Sequence, residues 1–141
     1  TPATALIVSL AKAVRLILEH LDSNYDYIKS LNKEVQSFLS NYPKVYINSN
    51  EYSIPHILNV SILGVKPETM LHALERFDIY ISTQTACATG ASSKSVYALT
   101  KDEKRATSSI RISFSHLNTL DDIKYFNDCF DKCYKELVCK E

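Results

Sequence analysis

A single cysteine, Cys87, stands among small and polar residues in the stretch ISTQTACATGASSKS, residues 81–95. The thiolate is the nucleophilic form of cysteine, and a thiol in an open loop is a better nucleophile than one buried in a core. With an ordinary pKa of about 8.5, only a few per cent of such a thiol is ionised at neutral pH. Lys94 and Arg111 are candidate cations to increase that fraction. On the residues alone, an ordinary loop cysteine is favoured over a functional thiol.

Arg111 lies within SIRISF, residues 109–114, where apolar and polar residues alternate. Alternation is typical of a strand with one buried face. Arg111 would then share the polar face with Ser109 and Ser113, and HILNVSI (56–62) would place Asn59 on a similar face. On the residues alone, Arg111 is interpreted as a solvated strand residue, and Asn59 either as a supporting residue of a site or as an edge hydrogen-bonding group.

The other cysteines and the histidines give weaker signals. Cys129 and Cys133 are four residues apart on a predicted helix, with Cys139 beyond it. Structural zinc needs four ligands at characteristic spacings, and His20, His56, His72 and His116 all lie far from these cysteines in sequence. We therefore predict no metal site and interpret these cysteines as core or surface residues. His116 is interpreted as a satisfied polar residue at a strand end rather than a catalytic one.

The elements that must position these residues alternate between helices and strands. Apolar periodicity predicts helices at 3–20, from 25 to about 39, from Pro67 to Phe77, near 96–99, near 102–106 and from Thr119 onward. A break is expected at Asp22-Ser23-Asn24, and Thr119 with Asp122 forms a predicted capping box. Strands are predicted at 45–47, 56–62, 79–82 and 109–114. This order predicts an α+β fold, a small, largely antiparallel sheet with helices packed on one face.

Composition narrows the functional classes. The chain has 141 residues, of which 45% are hydrophobic, which suits a single domain with a genuine core. Sixteen basic residues balance sixteen acidic ones, which argues against a dedicated nucleic-acid binder. No stretch is apolar enough to span a membrane, and four cysteines in this pattern do not resemble a secreted disulfide framework. We therefore expect no direct nucleic-acid or membrane partner, and a reducing, cytoplasmic setting.

Two segments in this order resemble a known family. IYISTQTACATGAS followed by SSIRISFSHLNTLDDI resembles the C-terminal small domain of cysteine desulfurases, which are pyridoxal-phosphate enzymes of the class V aminotransferase type. PHILNVSILGVKPETMLHAL resembles the strand-turn-helix segment that precedes their cysteine loop. The opening segment TPATALIVSLAKAV resembles the junction between their cofactor domain and their small domain. It lacks an initial Met, and its helical pattern begins almost at once. The resemblance implies that residues 1–141 are one domain, the C-terminal small domain of a longer fold-type I enzyme.

The resemblance also implies roles for three residues. Cys87 matches the nucleophile that takes sulfur from L-cysteine, giving L-alanine and an enzyme persulfide for acceptors in iron–sulfur cluster assembly or tRNA thiolation. Arg111 matches the arginine that holds the substrate carboxylate. Thr1 matches a threonine that reaches the cofactor phosphate of the neighbouring subunit in a homodimer. The small residues from Thr83 to Ser95 are expected to swing so that the thiol can meet a sulfur-acceptor protein.

The chain also departs from the family pattern. Gln84-Thr85 stands where many members have a Gly-Ser pair, and no segment matches the family's cofactor-binding large domain with its Schiff-base lysine. The full-length protein is expected to use pyridoxal 5'-phosphate, whereas this fragment is expected to bind none and to be inactive by itself. Two alternatives stay open: a selenocysteine lyase or another class V aminotransferase-like enzyme, and a non-catalytic α+β interaction domain.

Overall fold

The computed structural model describes residues 2–83 and 92–138. Thr1, Cys87 and Cys139 lie outside these ranges, so the predictions that concern them are not addressed by the fold. Helices form most of the described chain. They are α1 (Thr4–Glu19), α2 (Leu21–Leu39), α3 (Pro67–Glu75), α4 (Lys94–Thr100), α5 (Glu103–Thr107) and α6 (Leu120–Val138).

The described strands form one antiparallel sheet. They are β1 (Val45–Ile47), β2 (Ile57–Ile62) and β3 (Ser109–Ser113), in the spatial order β1-β2-β3. Val45 lies opposite Ile62, and Leu58 lies opposite Ile112. The α+β fold with a small antiparallel sheet is therefore confirmed.

The core lies between one face of this sheet and the three longest helices that contact it. Leu58, Val60 and Ile62 of β2 alternate with polar residues and are almost completely buried. Burying one such aliphatic side chain stabilises the fold by roughly 1.5–3 kcal/mol. The helices contribute buried residues at helical spacing: Ile28, Leu31 and Val35 of α2, Met70 and Leu74 of α3, and Ile123, Phe126 and Phe130 of α6.

The opposite sheet face is polar, yet part of it is buried. Asn59 is half-buried, and Ser61, two residues further along β2, has no exposed surface. Helix α5 contacts β2 at this position, and the Ser61 hydroxyl donates a hydrogen bond of 2.7 Å to the main-chain oxygen of Arg105. This face is therefore built to hold polar groups away from bulk water.

Local signals at two helix starts are confirmed. The Thr119 N–H donates to Asp122 Oδ2 at 2.8 Å, and the Asp122 N–H donates to Thr119 Oγ1 at 3.1 Å, which is a capping box at the start of α6. Pro67 is the first residue of α3, where its missing N–H costs no hydrogen bond. Gly64 adopts a φ of 87° in the turn between β2 and α3, a conformation that favours glycine.

The predicted break at Asp22-Ser23-Asn24 is wrong, because these residues lie inside the first turn of α2. The chain bends instead at His20, with φ −127° and ψ 17°. The Ser23 hydroxyl and the Asn24 N–H both donate to the His20 main-chain oxygen, at 3.1 and 2.9 Å. The polar residues therefore satisfy the start of a helix rather than end one.

The predicted strand at 79–82 is also wrong. Asp78 adopts a left-handed φ of 57°, and the Ile79 N–H donates back to the main-chain oxygen of Leu74 at 3.3 Å. Only Ser82 pairs with the sheet, through an isolated antiparallel bridge to Arg111. The left-handed turn at Asp78 and the bond from Ile79 back to α3 thus leave residues 79–81 unpaired with β3.

Helix α1 is apolar but buries none of its residues. An amphipathic helix normally buries one face, and Leu6, Leu10 and Val14 recur every four residues, a spacing that places them near one face of a helix. All three are exposed, and so are Ile7 and Leu16. Within the described ranges, no helix combines the length and apolarity needed to cross a membrane.

Candidate functional site

Arg111 occupies the centre of β3, on the polar face of the sheet. Its neighbours Ile110 and Ile112 are buried in the core, so the alternation of the strand directs Arg111 to the opposite side. The side chain is half-buried rather than solvated. The interpretation of Arg111 as a freely solvated strand residue therefore does not describe its environment.

Ser82 contacts Arg111 through three hydrogen bonds. The Arg111 N–H donates to the Ser82 main-chain oxygen at 2.6 Å, and the Ser82 N–H donates to the Arg111 main-chain oxygen at 3.0 Å. The guanidinium Nη2 donates to Ser82 Oγ at 3.2 Å. These contacts hold Ser82 against the centre of β3. Ser82 lies two positions before residues 84–91, which contain Cys87.

The Nε–H of Arg111 is buried and has no hydrogen-bond partner among the described residues. An unsatisfied buried donor costs about 1–3 kcal/mol, more when it is charged, so such a group is normally paired. A carboxylate would accept from Nε and a terminal nitrogen together, in the bidentate geometry that guanidinium groups favour. Among the described residues, one other buried side-chain polar atom has no hydrogen-bond partner. It is Asn127 Oδ1, which lies on α6 outside the pocket described next.

A pocket of about 390 Å³ opens beside Arg111. Its polar lining includes Asn48, Asn59, Thr83, Ser93, Ser109 and Arg111. Its apolar lining includes Ile54, Ile57, Val96 and Leu99. Among the described lining residues Arg111 alone is charged, so the pocket suits a small anionic molecule with a short apolar part.

A network of polar side chains that the sequence analysis did not identify continues from this pocket. Arg105 Nε and Nη2 donate to Asn48 Oδ1 at 3.0 and 2.6 Å. Asn48 Nδ2 donates to Asn59 Oδ1 at 2.7 Å. Because Asn59 lies opposite Arg111 in the β2–β3 register, the network ends beside the guanidinium. The half-buried position of Asn59 agrees with the interpretation of Asn59 as a supporting residue.

The predicted nucleophile Cys87 and the predicted cofactor contact Thr1 lie outside the described residues. Both described flanks of the Cys87 segment line the pocket, Thr83 on one side and Ser93 on the other. Lys94, the other candidate cation, is exposed at the start of α4. Arg111 and the two flanks of the cysteine segment are thus brought together, whereas the position of the thiol itself stays a prediction.

The remaining cysteines lie in the core. Cys129 and Cys133 are almost completely buried on α6. Burial raises the pKa of the Cys133 thiol, although the neighbouring Arg76 opposes the effect. Within residues 2–83 and 92–138, no three potential ligands gather as a metal site. His116 is exposed, and His72 is paired with Glu75 at 2.8 Å on α3.

The described helices and the small antiparallel sheet define the class of this chain as an α+β domain. The particular family follows from sequence. The chain belongs to the class-V aminotransferase family, whose profile matches residues 1–126. Among curated relatives, it is 34% identical over 139 residues to a NifS/IcsS protein homolog of Lactobacillus delbrueckii subsp. bulgaricus, covering 96% of this chain and 36% of that protein.

Further relatives agree with this result and confirm the resemblance to the cysteine desulfurases. The chain is 35% identical over 124 residues to the cysteine desulfurase IscS of Buchnera aphidicola, covering 84% of this chain and 30% of that protein. The solved structure of a NifS-like protein superposes with a TM-score of 0.84 at 26% identity, covering 97% of this chain and 35% of that one. The chain therefore spans about a third of the length of the relatives it matches.

Proposed function

We propose that this chain is the C-terminal small domain of a pyridoxal-phosphate-dependent cysteine desulfurase. The observation that carries the proposal is the unpaired Nε of Arg111 in a pocket that both flanks of the Cys87 segment line. Cys87 follows Thr83 by only four positions in the sequence. We propose that its thiol reaches a substrate whose carboxylate Arg111 holds.

The reaction transfers one sulfur atom. The Cys87 thiolate attacks the sulfur of L-cysteine, an S–S bond forms, and the Cβ–S bond of the substrate breaks. The electron pair of that bond stays with the substrate carbon, which takes up a proton to give L-alanine. The enzyme thiol becomes a persulfide, so L-cysteine plus enzyme thiol equals L-alanine plus enzyme persulfide. Nucleophilic attack of this kind requires a populated thiolate.

The described residues fit a substrate carboxylate rather than covalent attachment of the cofactor. Arg111 offers two donors to a carboxylate, and the described lining of the pocket contains no lysine. Pyridoxal phosphate, when bound, supplies the electron sink for bond cleavage beside the substrate amine. We propose that other parts of a longer polypeptide hold the cofactor, with Thr1 contacting its phosphate across a homodimer. The fragment alone would then be inactive.

The persulfide must leave by transfer to another molecule. We propose a sulfur-acceptor protein as partner, since the chain is similar to relatives named cysteine desulfurase IscS. Iron–sulfur cluster assembly is the first candidate destination of the sulfur, and tRNA thiolation is the second.

The test uses the full-length protein that carries this chain. Cys87→Ser should bind L-cysteine, as followed by the cofactor absorbance, but release neither alanine nor persulfide sulfur. Cys133→Ser provides the matched control, because that thiol is buried in the core. Undiminished sulfur release by Cys87→Ser would refute the proposal, and faster turnover of selenocysteine than of cysteine by that variant would support a selenocysteine lyase instead.

A further inference from the structure

We propose that Asn59 is a second binding group for the substrate carboxylate beside Arg111, and that Arg105 and Asn48 are positioning residues that orient it. This inference rests on the proposed function, in which Arg111 receives a carboxylate. It assigns roles to three residues that the resemblance leaves without one.

Arg105 sets the donor-to-acceptor direction of the hydrogen bonds in this network, because a guanidinium group donates hydrogen bonds and accepts none. Its Nε and Nη2 both donate to Asn48 Oδ1, at 3.0 and 2.6 Å. Nη2 also donates to the Ile47 main-chain oxygen at 2.9 Å, and the guanidinium carbon lies 5.3 Å from the centre of the Tyr46 ring. These contacts fix the guanidinium, so the side-chain oxygen of Asn48 must point toward Arg105.

The amide nitrogen of Asn48 therefore points the other way. It donates to Asn59 Oδ1 and to Ser61 Oγ, both at 2.7 Å. The Ser61 hydroxyl hydrogen is used in the bond to the Arg105 main-chain oxygen, so the Ser61 oxygen acts as the acceptor toward Asn48. Asn48 is only 6% exposed, which keeps water from competing for these bonds.

The orientation of Asn59 follows. Its Oδ1 is held by Asn48, so its Nδ2 is the donor on the free edge of the amide. No described residue accepts a hydrogen bond from Nδ2, and Asn59 lines the pocket. The main chain of Asn59 is fixed as well, because its N–H donates to Ser49 Oγ at 2.9 Å and its carbonyl accepts from the Asn48 N–H at 2.8 Å.

Asn59 and Arg111 face the same pocket from adjacent strands. They are direct partners in the β2–β3 register, where side chains of such pairs have Cβ atoms about 4.5–5.5 Å apart. The free Nδ2 of Asn59 and the unpaired Nε of Arg111 together offer donors to one anion with two oxygens. The side chain of Arg105 forms no ion pair within the described chain, so its charge also favours an anion in the pocket.

The experiment compares two ligands that differ only by a carboxylate. L-alanine and ethylamine are titrated into the full-length holoenzyme, and the cofactor absorbance gives each dissociation constant. The inference predicts that Asn59→Ala weakens L-alanine binding by about tenfold and leaves ethylamine binding unchanged. Asn59→Asp, which keeps the acceptor for Asn48 and replaces the donor by an anion, should weaken L-alanine binding further.

The positioning residues are tested by reversal and by rescue. In Asn48→Asp, the new carboxylate can still accept hydrogen bonds from Arg105, but it has no N–H to donate to Asn59 Oδ1. The Asn59 amide must therefore turn, so that Nδ2 donates to position 48 and Oδ1 faces the substrate carboxylate. We expect about a tenfold loss of L-alanine affinity and a matching rise in KM for L-cysteine. Arg105→Leu should show a smaller loss, and Arg105→Lys, which retains a donor to Asn48, should recover most of it.

Controls separate this role from a general loss of structure. Asn41→Asp adds the same charge at an exposed residue outside the pocket and should bind both ligands like the wild type. An Asn59→Ala protein that binds L-alanine like the wild type would overturn the inference. So would equal affinity of the wild type for L-alanine and ethylamine. A wild type that binds L-alanine selectively but releases no sulfur from L-cysteine would contradict the proposed function, while the expected Asn59 ratios on L-alanine would still support the inference.

Discussion

Ser82 and Arg111 exchange two main-chain hydrogen bonds, and their side chains share a third. A single bridged pair thus connects the segment that leads toward Cys87 with the centre of β3. The arginine and the entrance to the cysteine segment therefore keep a fixed separation. This arrangement suits a site in which one residue holds the substrate while another, on the following segment, reacts with it.

The first prediction concerns the shape of the Arg111 side chain. Arg111→Lys keeps the positive charge but replaces the planar fork by a single ammonium group, which cannot bind a carboxylate in bidentate fashion. We expect KM for L-cysteine in the full-length enzyme to rise by about tenfold to a hundredfold, with a smaller change in kcat. Steady-state kinetics measure both. Arg76→Lys, at the exposed ion pair with Glu136, is the matched control and should leave both constants unchanged.

The second prediction concerns Ser82. Ser82→Ala removes the acceptor for Arg111 Nη2 but leaves both main-chain bonds, so the guanidinium loses one restraint. We expect KM for L-cysteine to rise by about threefold to tenfold, the effect of one hydrogen bond. Combining Ser82→Ala with Arg111→Lys should give less than the product of the two effects, because both act on one contact. Fully multiplicative effects would contradict the assigned contact.

Local sequence signals predicted several elements correctly. The Thr119 and Asp122 pair predicted the start of α6, and alternation placed Leu58 and Val60 in the core and Asn59 on the polar face. Each of these predictions needs only a few adjacent residues. The helix predicted at 3–20 is confirmed as α1, but the burial of its apolar residues depends on what packs against it, as does the pairing of residues 79–82. Only Ser82 reaches the sheet, and no described residue of the chain covers α1 enough to bury any of it.

The site could be predicted only in part for the same reason. The resemblance alone gave Arg111 a binding role, whereas its place in a strand predicted only a position on the polar face. Arg111 is half-buried and lines the pocket, and its binding role stays a prediction. Arg105 gave no signal, since it lies on the five-residue helix α5 and contacts Asn48, which is 57 positions earlier in the chain. No spacing rule connects two residues that meet only because β1 and α5 converge on β2.

The third prediction tests the capping box of α6. Thr119→Ala removes the hydroxyl that accepts from the Asp122 N–H. We expect the free energy of unfolding of this chain to fall by about 1 kcal/mol, as for other helix caps. Urea unfolding followed by circular dichroism measures the change. Thr69→Ala, at an exposed position of α3, should be neutral or slightly stabilising, because alanine favours a helix. Equal losses for the two variants would exclude a capping role.

The fourth prediction separates the core thiols from the proposed nucleophile. Cys129 and Cys133 are 1% and 0% exposed, and burial raises the pKa of the Cys133 thiol. Both should therefore resist iodoacetamide at neutral pH in the native protein and react once it is unfolded in denaturant. Cys87, if it is the nucleophile, should react first. Peptide mass spectrometry locates the label, and rapid native labelling of Cys133 would contradict the buried position on α6.

The fifth prediction concerns the pH dependence of stability through Tyr42 and Asp131. Tyr42 Oη donates to Asp131 Oδ1 at 2.8 Å, and Lys135 Nζ donates to Asp131 Oδ2 at 2.5 Å. The bonds from Lys135 and Tyr42 hold the pKa of Asp131 below its ordinary value of 3.8. Burial, together with the bond to Asp131, raises the pKa of Tyr42 above its ordinary value of 10.0.

The directions of these two pKa shifts determine how the stability of the fold changes with pH. A lowered carboxyl pKa means that the stability from Asp131 is fully present above about pH 4 and is lost as the pH falls through the lowered pKa. A raised Tyr42 pKa means that its contribution is complete below pH 10 and is lost as the pH rises further. Tyr42→Phe keeps the ring that packs on Phe130 and Tyr134 but removes the donor. It should cost about 1 kcal/mol at neutral pH.

That cost should shrink at both extremes. At low pH the native Asp131 carboxylate takes up a proton, and above pH 10 Tyr42 of the unfolded chain loses its proton whereas the native phenol, with its raised pKa, keeps its own. Urea unfolding of both proteins between pH 2 and 11 gives the difference in free energy at each pH, with about pH 4 and pH 10 as the expected limits of its plateau. Tyr97→Phe, at an exposed tyrosine that contacts only Lys101 among the described aromatic and charged pairs, should be neutral throughout. A Tyr42→Phe difference that stays constant down to the acid limit would show that Asp131 does not accept this bond in its ionised form.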